Sequence, residues 1–162
     1  MTKTDPPLPH RPADDAARAE ARRILAQARH ATLAVLDEGG WPMQSRIALQ
    51  ADAAGQPLAL LSGLALHTRR LAADPRAALL IAPLSGRGSP MAQPRLSLQV
   101  RAQMAEPGES AGLRALWRMR DPKSAVYLDL PDFRFWRMHP RSGLLNAGFG
   151  RAWLLDAADL TA

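Results

Sequence analysis

The stretch Leu60-Leu61-Ser62-Gly63-Leu64-Ala65-Leu66-His67-Thr68-Arg69-Arg70 gathers hydroxyls, an imidazole and two guanidinium groups in a short span of chain. The run Pro57 to Ser62 (PLALLS) reads as a strand, and Ala65 to Asp74 (ALHTRRLAAD) reads as a short helix stopped by Pro75. The polar groups therefore meet at a helix N-terminus, where backbone N–H groups lack partners and the helix dipole favours negative charge. That chemistry suits a phosphate, because arginine's planar fork matches its oxygens. A structural reading fits the same residues: Ser62 caps a turn, and Arg69 and Arg70 are solvated helix residues.

Most other chemistry is excluded. The 162 residues include no cysteine, so there is no disulfide framework, thiolate metal site, iron-sulfur cluster or cysteine nucleophile. There is no His-Glu-x-x-His pair, no Gly-x-Ser-x-Gly elbow and no Gly-Lys-Ser/Thr phosphate loop. The four histidines (His10, His30, His67, His139) lack metal-ligand spacing, so no metal site is expected. The one tight carboxylate pair, Asp14 with Asp15, stands at a helix start, where the dipole accounts for it. An ordinary hydrolase or metalloenzyme is therefore not expected.

The net charge of +6 arises from 21 basic residues, of which only Lys3 and Lys123 are lysine, and the arginines are spread along the chain without a block. A nucleic-acid partner is therefore not expected. Residues 1–12 (MTKTDPPLPHRP) carry four prolines, show no apolar period and read as a disordered arm. No run approaches membrane-spanning length and no export signal is present, so a cytoplasmic protein without membrane association is expected.

The elements that must position the candidate residues follow from periodicity. Ala13 to about Arg29 reads as a helix whose last turns pack on a sheet. Ala31 to Asp37, Met43 to Gln50 and Pro57 to Ser62 read as strands separated by glycine turns, an antiparallel meander. In the second of these, Ser45, Ile47 and Leu49 share one face and Gln44, Arg46, Ala48 and Gln50 the other. Arg76 to Leu84 reads as a buried strand and Ser85 to Pro94 as a loop, with Gly86 to Gly88 and Arg87 forming either a lid or plain exposed chain.

Arg95 to Ala105 alternates cleanly, placing Leu96, Leu98, Val100, Ala102 and Met104 inward. A capped helix (GESAGLRALWRMR) follows, with Arg114, Arg118 and Arg120 on a solvated basic face. A short helical piece, the strand Asp132 to His139, and a final stretch from Ser142 to Leu155 broken at Gly148-Phe149-Gly150 complete the domain. Trp117, Trp136 and Trp153 read as core or interface residues and Trp41 as a turn residue. Six or seven strands joined mainly by turns, with two or three helices between groups, indicate an α+β, mainly β fold whose antiparallel sheet is long enough to close into a barrel.

Three successions carry a family resemblance: Ser45-Arg46-Ile47-Ala48-Leu49, Leu61-Ser62-Gly63-Leu64-Ala65-Leu66-His67-Thr68-Arg69-Arg70-Leu71, and Asp74-Pro75-Arg76-Ala77-Ala78-Leu79-Leu80. Pro94 to Ala102, Asp132 to Met138 and Gly148 to Ala152 continue the pattern in order. Together they resemble the pyridoxamine 5'-phosphate oxidase-related FMN-binding split barrels, within them the haem-utilisation (HugZ-like) type. The resemblance implies a six-stranded antiparallel split β-barrel with flanking helices, one domain over residues 13–162, and a homodimer with FMN at the subunit interface.

By position in that pattern, Arg46 and the following Ile47, Ala48 and Leu49 meet the flavin edge and phosphate, and Ser62, His67, Thr68 and Arg69 hold the phosphate. Gln99 contacts the isoalloxazine or ribityl chain, and Arg151 and Trp153 approach from the partner subunit. The implied activity is a flavin-dependent oxidoreductase with a small-molecule substrate. Haem handling on the same barrel and a flavin-binding module without turnover are the alternatives. Where the vitamin oxidases carry an Arg-Lys pair this chain has His67-Thr68-Arg69, and vitamin B6 synthesis is not inferred.

Overall fold

Two aspartate-led turns set up the meander. In the computed structural model, which describes residues 10–82 and 88–161, β2 (His30–Leu36), β3 (Pro42–Ala51) and β4 (Pro57–Ser62) are successive antiparallel strands. The Asp37 carboxylate accepts from the N–H groups of Gly39 and Trp41, both at 2.8 Å, and Asp52 accepts in the same way from Ala54 and Gln56, both at 2.9 Å. Gly40 and Gly55 sit at φ of 79° and 80°, a left-handed conformation strained for other residues, so each turn requires its glycine.

The chain continues through α2 (Leu66–Ala73), β5 (Arg76–Ile81), β6 (Arg95–Met104), α3 (Ser110–Arg120) and α4 (Ala125–Leu128). It ends in β7 (Phe133–Asn146), β8 (Ala152–Asp156) and α5 (Ala157–Leu160). The strand order β7-β4-β3-β2-β5-β6, with β6 returning to β7, closes a six-stranded antiparallel barrel. β7 makes this closure possible because its 14 residues are long enough to pair with both β4 and β6 and then with β8. The expected mainly β split barrel with flanking helices is the fold observed.

The barrel interior holds the principal core, including Leu33, Leu49, Leu79, Leu96, Leu98 and Met138, each 1% exposed or less. Helix α1 (Asp15–Gln27) starts on Asp14, whose carboxylate accepts from the N–H of Ala17 at 2.7 Å, and buries Ala21, Ile24 and Leu25 in that core. A second cluster lies outside the barrel wall, where Leu113 and Trp117 of α3 and Leu128 of α4 cover Leu58, Leu60 and Phe135. No helix among the described residues is long and apolar enough to cross a membrane.

Five expectations change. The strand read as largely buried, β5, buries only Leu79 and Ile81 and exposes Arg76 and Leu80, because its alternate residues face out of the barrel. Arg11–Pro12 form a short strand, β1, parallel to β8, so the arm expected over residues 1–12 is paired at its end; residues 1–9 lie outside the described chain. Met104 is 49% exposed, because β6 reaches its end there and the alternation has no further core to face. Arg114 and Arg120 donate to the carbonyls of Leu128 and Ala51, and Arg118 pairs with Asp129 at 2.8 Å, so the basic face of α3 fastens the outer lobe. The strand expected to stop at His139 continues through Pro140 with a bulge. Of the loop read as a lid, Gly86 and Arg87 fall outside the described residues.

Candidate functional site

The strand-to-helix junction is built from backbone outward. The N–H of Gly63 donates to the Asp132 carbonyl at 2.7 Å, and a Cβ on Gly63 would come within 3.3 Å of that oxygen, so only glycine follows β4 without displacement. The Ser62 hydroxyl donates to the Asp132 carboxylate at 2.5 Å and accepts from the N–H of Leu64 at 3.1 Å. Ser62 thus organises the turn, with its hydroxyl already engaged and a carboxylate beside it. Asp132 is a residue that sequence reasoning missed; its placement just before β7, after Pro131, is the only local signal.

Beyond the turn, α2 begins at Leu66 with Ala65 at the cap position and no side-chain capping bond. The Thr68 N–H donates to the Ala65 carbonyl at 3.1 Å, and the N–H groups of Leu66 and His67 are left for another acceptor. Thr68, in that first turn, is 7% exposed, and its Oγ1 is buried without a partner. A buried hydroxyl in this state is uncommon, because the lost hydration is not replaced. Arg69 is exposed and unpaired among the described residues, while Arg70 is taken by Glu38 at 2.6 Å. Burial lowers the pKa of His67 below the usual imidazole value, so near neutral pH it serves as a hydrogen-bonding group rather than a cation.

Arg46 joins this junction through strand register. The β3–β4 ladder ends at the pair Ala48–Leu60, and two residues further along stand Arg46 and Ser62. Arg46 is exposed and has no hydrogen bond or ion pair among the described residues. Arg46, by register, and Thr68, Arg69 and the open end of α2, by chain position, lie toward one corner of the barrel, with the Asp132 carboxylate engaged by Ser62 beside it. It has the donors and the charge that a phosphate monoester requires, and the orphaned Thr68 hydroxyl fits it.

The other predicted residues divide. Ile47 and Leu49 are 5% and 0% exposed, with their side chains inside the barrel, so only their peptide groups can face a ligand. Ala48, on the opposite face, packs partly against the outer cluster. Gln99 lies on the outer face three strands from β3, about 14 Å across the sheet. Its Oε1 accepts from the Ser142 hydroxyl at 3.0 Å, and the residue lines a groove of about 880 Å³ over β2, β5, β6 and β7.

Trp153 is 8% exposed in the principal core, in register with Leu145, which removes it from any surface role. Arg151 remains exposed on the β7–β8 hairpin, with its guanidinium 5.7 Å above the Trp153 ring. Ser62, His67, Thr68 and Arg69 thus share the β4–α2 junction, Arg46 stands on β3 two residues beyond the last β3–β4 pair, Gln99 lies across the sheet, and Ile47, Leu49 and Trp153 are in the core.

Residues 17–146 match a family model described as pyridoxamine 5'-phosphate oxidase. The chain belongs to that family. A solved structure 58% identical in sequence superposes with a TM-score of 0.89, covering 94% of this chain and 99% of the other. The structure of a heme binding protein from Mycobacterium smegmatis is 30% identical with a TM-score of 0.81, covering 91% of this chain and 61% of that one. Among curated proteins, the non-canonical heme oxygenase HOZ, chloroplastic, of Arabidopsis thaliana is 32% identical over 117 residues, which are 71% of this chain. The match spans 35% of that relative's length.

Proposed function

We propose that the protein binds FMN through the corner formed by Arg46, Thr68, Arg69 and the N-terminus of α2, and acts as a flavin-dependent oxidoreductase on a small molecule. The observation that carries this reading is the Thr68 hydroxyl, buried without a partner beside an uncapped helix end. A phosphate oxygen there would supply the missing acceptor. When bound, the flavin supplies the hydride or electron transfer. The chain's part is to hold the phosphate, to offer Gln99 as a polar contact on the sheet face, and to leave that face open to substrate. Exposed Leu80 and Leu154 and half-buried Leu144 stand in one register row on the outer faces of β5, β8 and β7, with Ser97 between Leu80 and Leu144, an apolar band that supports a homodimer covering the cofactor.

The test is anaerobic reduction of the FMN-loaded protein by a nicotinamide donor, followed by reoxidation in air. Bleaching and recovery of the flavin bands support the oxidoreductase reading, and bound but unreactive flavin reduces it to a binding module. Haem handling is the second reading, favoured by the names of the Mycobacterium and Arabidopsis relatives; a saturable Soret shift on adding haemin, without FMN retention, would replace the first reading with it.

A substitution at Thr68 separates binding from stability. Thr68→Val keeps the shape and removes the unsatisfied hydroxyl, so the flavin-free protein is expected to gain about 1 kcal/mol. FMN affinity is expected to fall about tenfold, the value of one hydrogen bond to a charged group. Urea denaturation and fluorescence titration measure the two effects on the same sample.

A further inference from the structure

The groove over β2, β5, β6 and β7 is a separate chemical environment from the phosphate corner. Its floor comes from Ala34 and Ala78, which are paired directly across β2 and β5, so the sheet surface is depressed where larger side chains would stand. Pro140 extends this apolar floor. A β-bulge shapes the far wall: Gln99 pairs with Ser142 and Val100 with Pro140, leaving Arg141 as the extra residue. Bulges of this kind redirect a side chain, and proline is tolerated in a strand at such a point because its missing N–H leaves no ladder bond broken.

The unpaired charges of the groove are cationic. Gln99 Oε1 accepts from the Ser142 hydroxyl at 3.0 Å, and the amide NH₂ of Gln99 is a further donor. Arg101 and Arg141 are exposed and have no hydrogen bond or ion pair among the described residues. Arg76 is held by three contacts of 2.6 to 3.1 Å to Asp74, whose carboxyl is thereby lowered to about 2 and stays anionic and engaged. His139 is partnered by Gln103 at 3.0 Å. The remaining carboxylate near the groove, Asp156, caps α5 by accepting from the N–H of Asp159 at 3.0 Å.

A groove with an apolar floor and two unpaired guanidinium groups selects its occupant. We infer that it binds an amphipathic organic acid, with its apolar body on Ala34, Ala78 and Pro140 and its acid groups on Arg101 and Arg141. Gln99 and Arg101 are two residues apart on β6, about 7 Å along one face, so a single ligand can meet both. The inference rests on the flavin reading only in making this acid the substrate; the binding itself does not depend on FMN.

The experiment uses the full chain freed of flavin and two probes: 8-anilinonaphthalene-1-sulfonate, and N-phenyl-1-naphthylamine, which has the same aromatic body without the acid. The sulfonate is expected to bind saturably, and R101Q/R141Q to weaken it about tenfold or more while leaving the neutral amine unchanged. Ala78→Trp, which fills the floor, is expected to abolish both and covers the case in which the double variant fails to fold. Unchanged sulfonate affinity in R101Q/R141Q, or unchanged binding of both probes in Ala78→Trp, would overturn the assignment. FMN retention is measured alongside: loss of FMN binding by the wild-type chain with the probe pattern intact removes the flavin reading and leaves the groove, and the converse removes the groove alone.

Discussion

Replacement of Arg46 by alanine is expected to weaken FMN binding by about 10- to 100-fold, the range for losing a charge-assisted hydrogen bond to phosphate. The fold should not register the change, because Arg46 is exposed and makes no ion pair or hydrogen bond among the described residues. Fluorescence titration of FMN against wild type and Arg46→Ala, with a thermal melt of each in the absence of flavin, separates the two quantities. A variant that melts as wild type does and releases FMN on desalting is the outcome the corner geometry requires. A variant that retains FMN fully would place the phosphate elsewhere.

Removal of the Trp117 side chain is expected to have the largest effect on stability. Trp117 is 1% exposed, its ring lies 5.6 Å from that of Phe135, and its carbonyl accepts from the buried Gln50 side chain at 3.3 Å. Trp117→Ala should cost about 3–5 kcal/mol in chemical denaturation, as large aromatic deletions do when the surroundings collapse only in part. The outer cluster consists of six buried residues, so few neighbours can move into the space. A loss below about 1 kcal/mol would mean that the α3–α4 lobe is not cooperatively packed on the barrel.

Much of the barrel was legible because its strands alternate or are bounded by glycine turns. Pro57–Ser62 begins and ends where periodicity places it, and the split of Ile47 and Leu49 from Arg46 on β3 follows directly from the two-residue repeat. Pro140 misled the reading. Proline within a strand usually marks an end, and nothing local shows that a bulge will absorb it. The arginines of α3 were equally opaque, since their acceptors, the carbonyls of Ala51 and Leu128 and the Asp129 carboxylate, are brought to them by tertiary packing.

The candidate site was legible as a succession of residue types and not as an arrangement. The motif pointed to Ser62 and Thr68 alike, yet only the structure separates them. Ser62 is satisfied by Asp132, some 70 residues away in sequence, and Thr68 is buried with no partner. Trp153 shows the same limit. A tryptophan near a hairpin serves a core and an interface equally well, and its 8% exposure assigns it to the core. Burial and long-range hydrogen bonding decide such cases, and neither is encoded in spacing.

The central claim is that the corner of Arg46, Thr68, Arg69 and α2 recognises a phosphate, and a comparison of FMN with riboflavin tests it most directly. The two ligands share the isoalloxazine and ribityl groups and differ only in the phosphate. Titrated into the flavin-free protein, FMN is expected to bind at one site per chain and about 100-fold or more tightly than riboflavin, since several charge-assisted contacts are lost together. Equal affinity for the two, or no binding of either, would contradict the account.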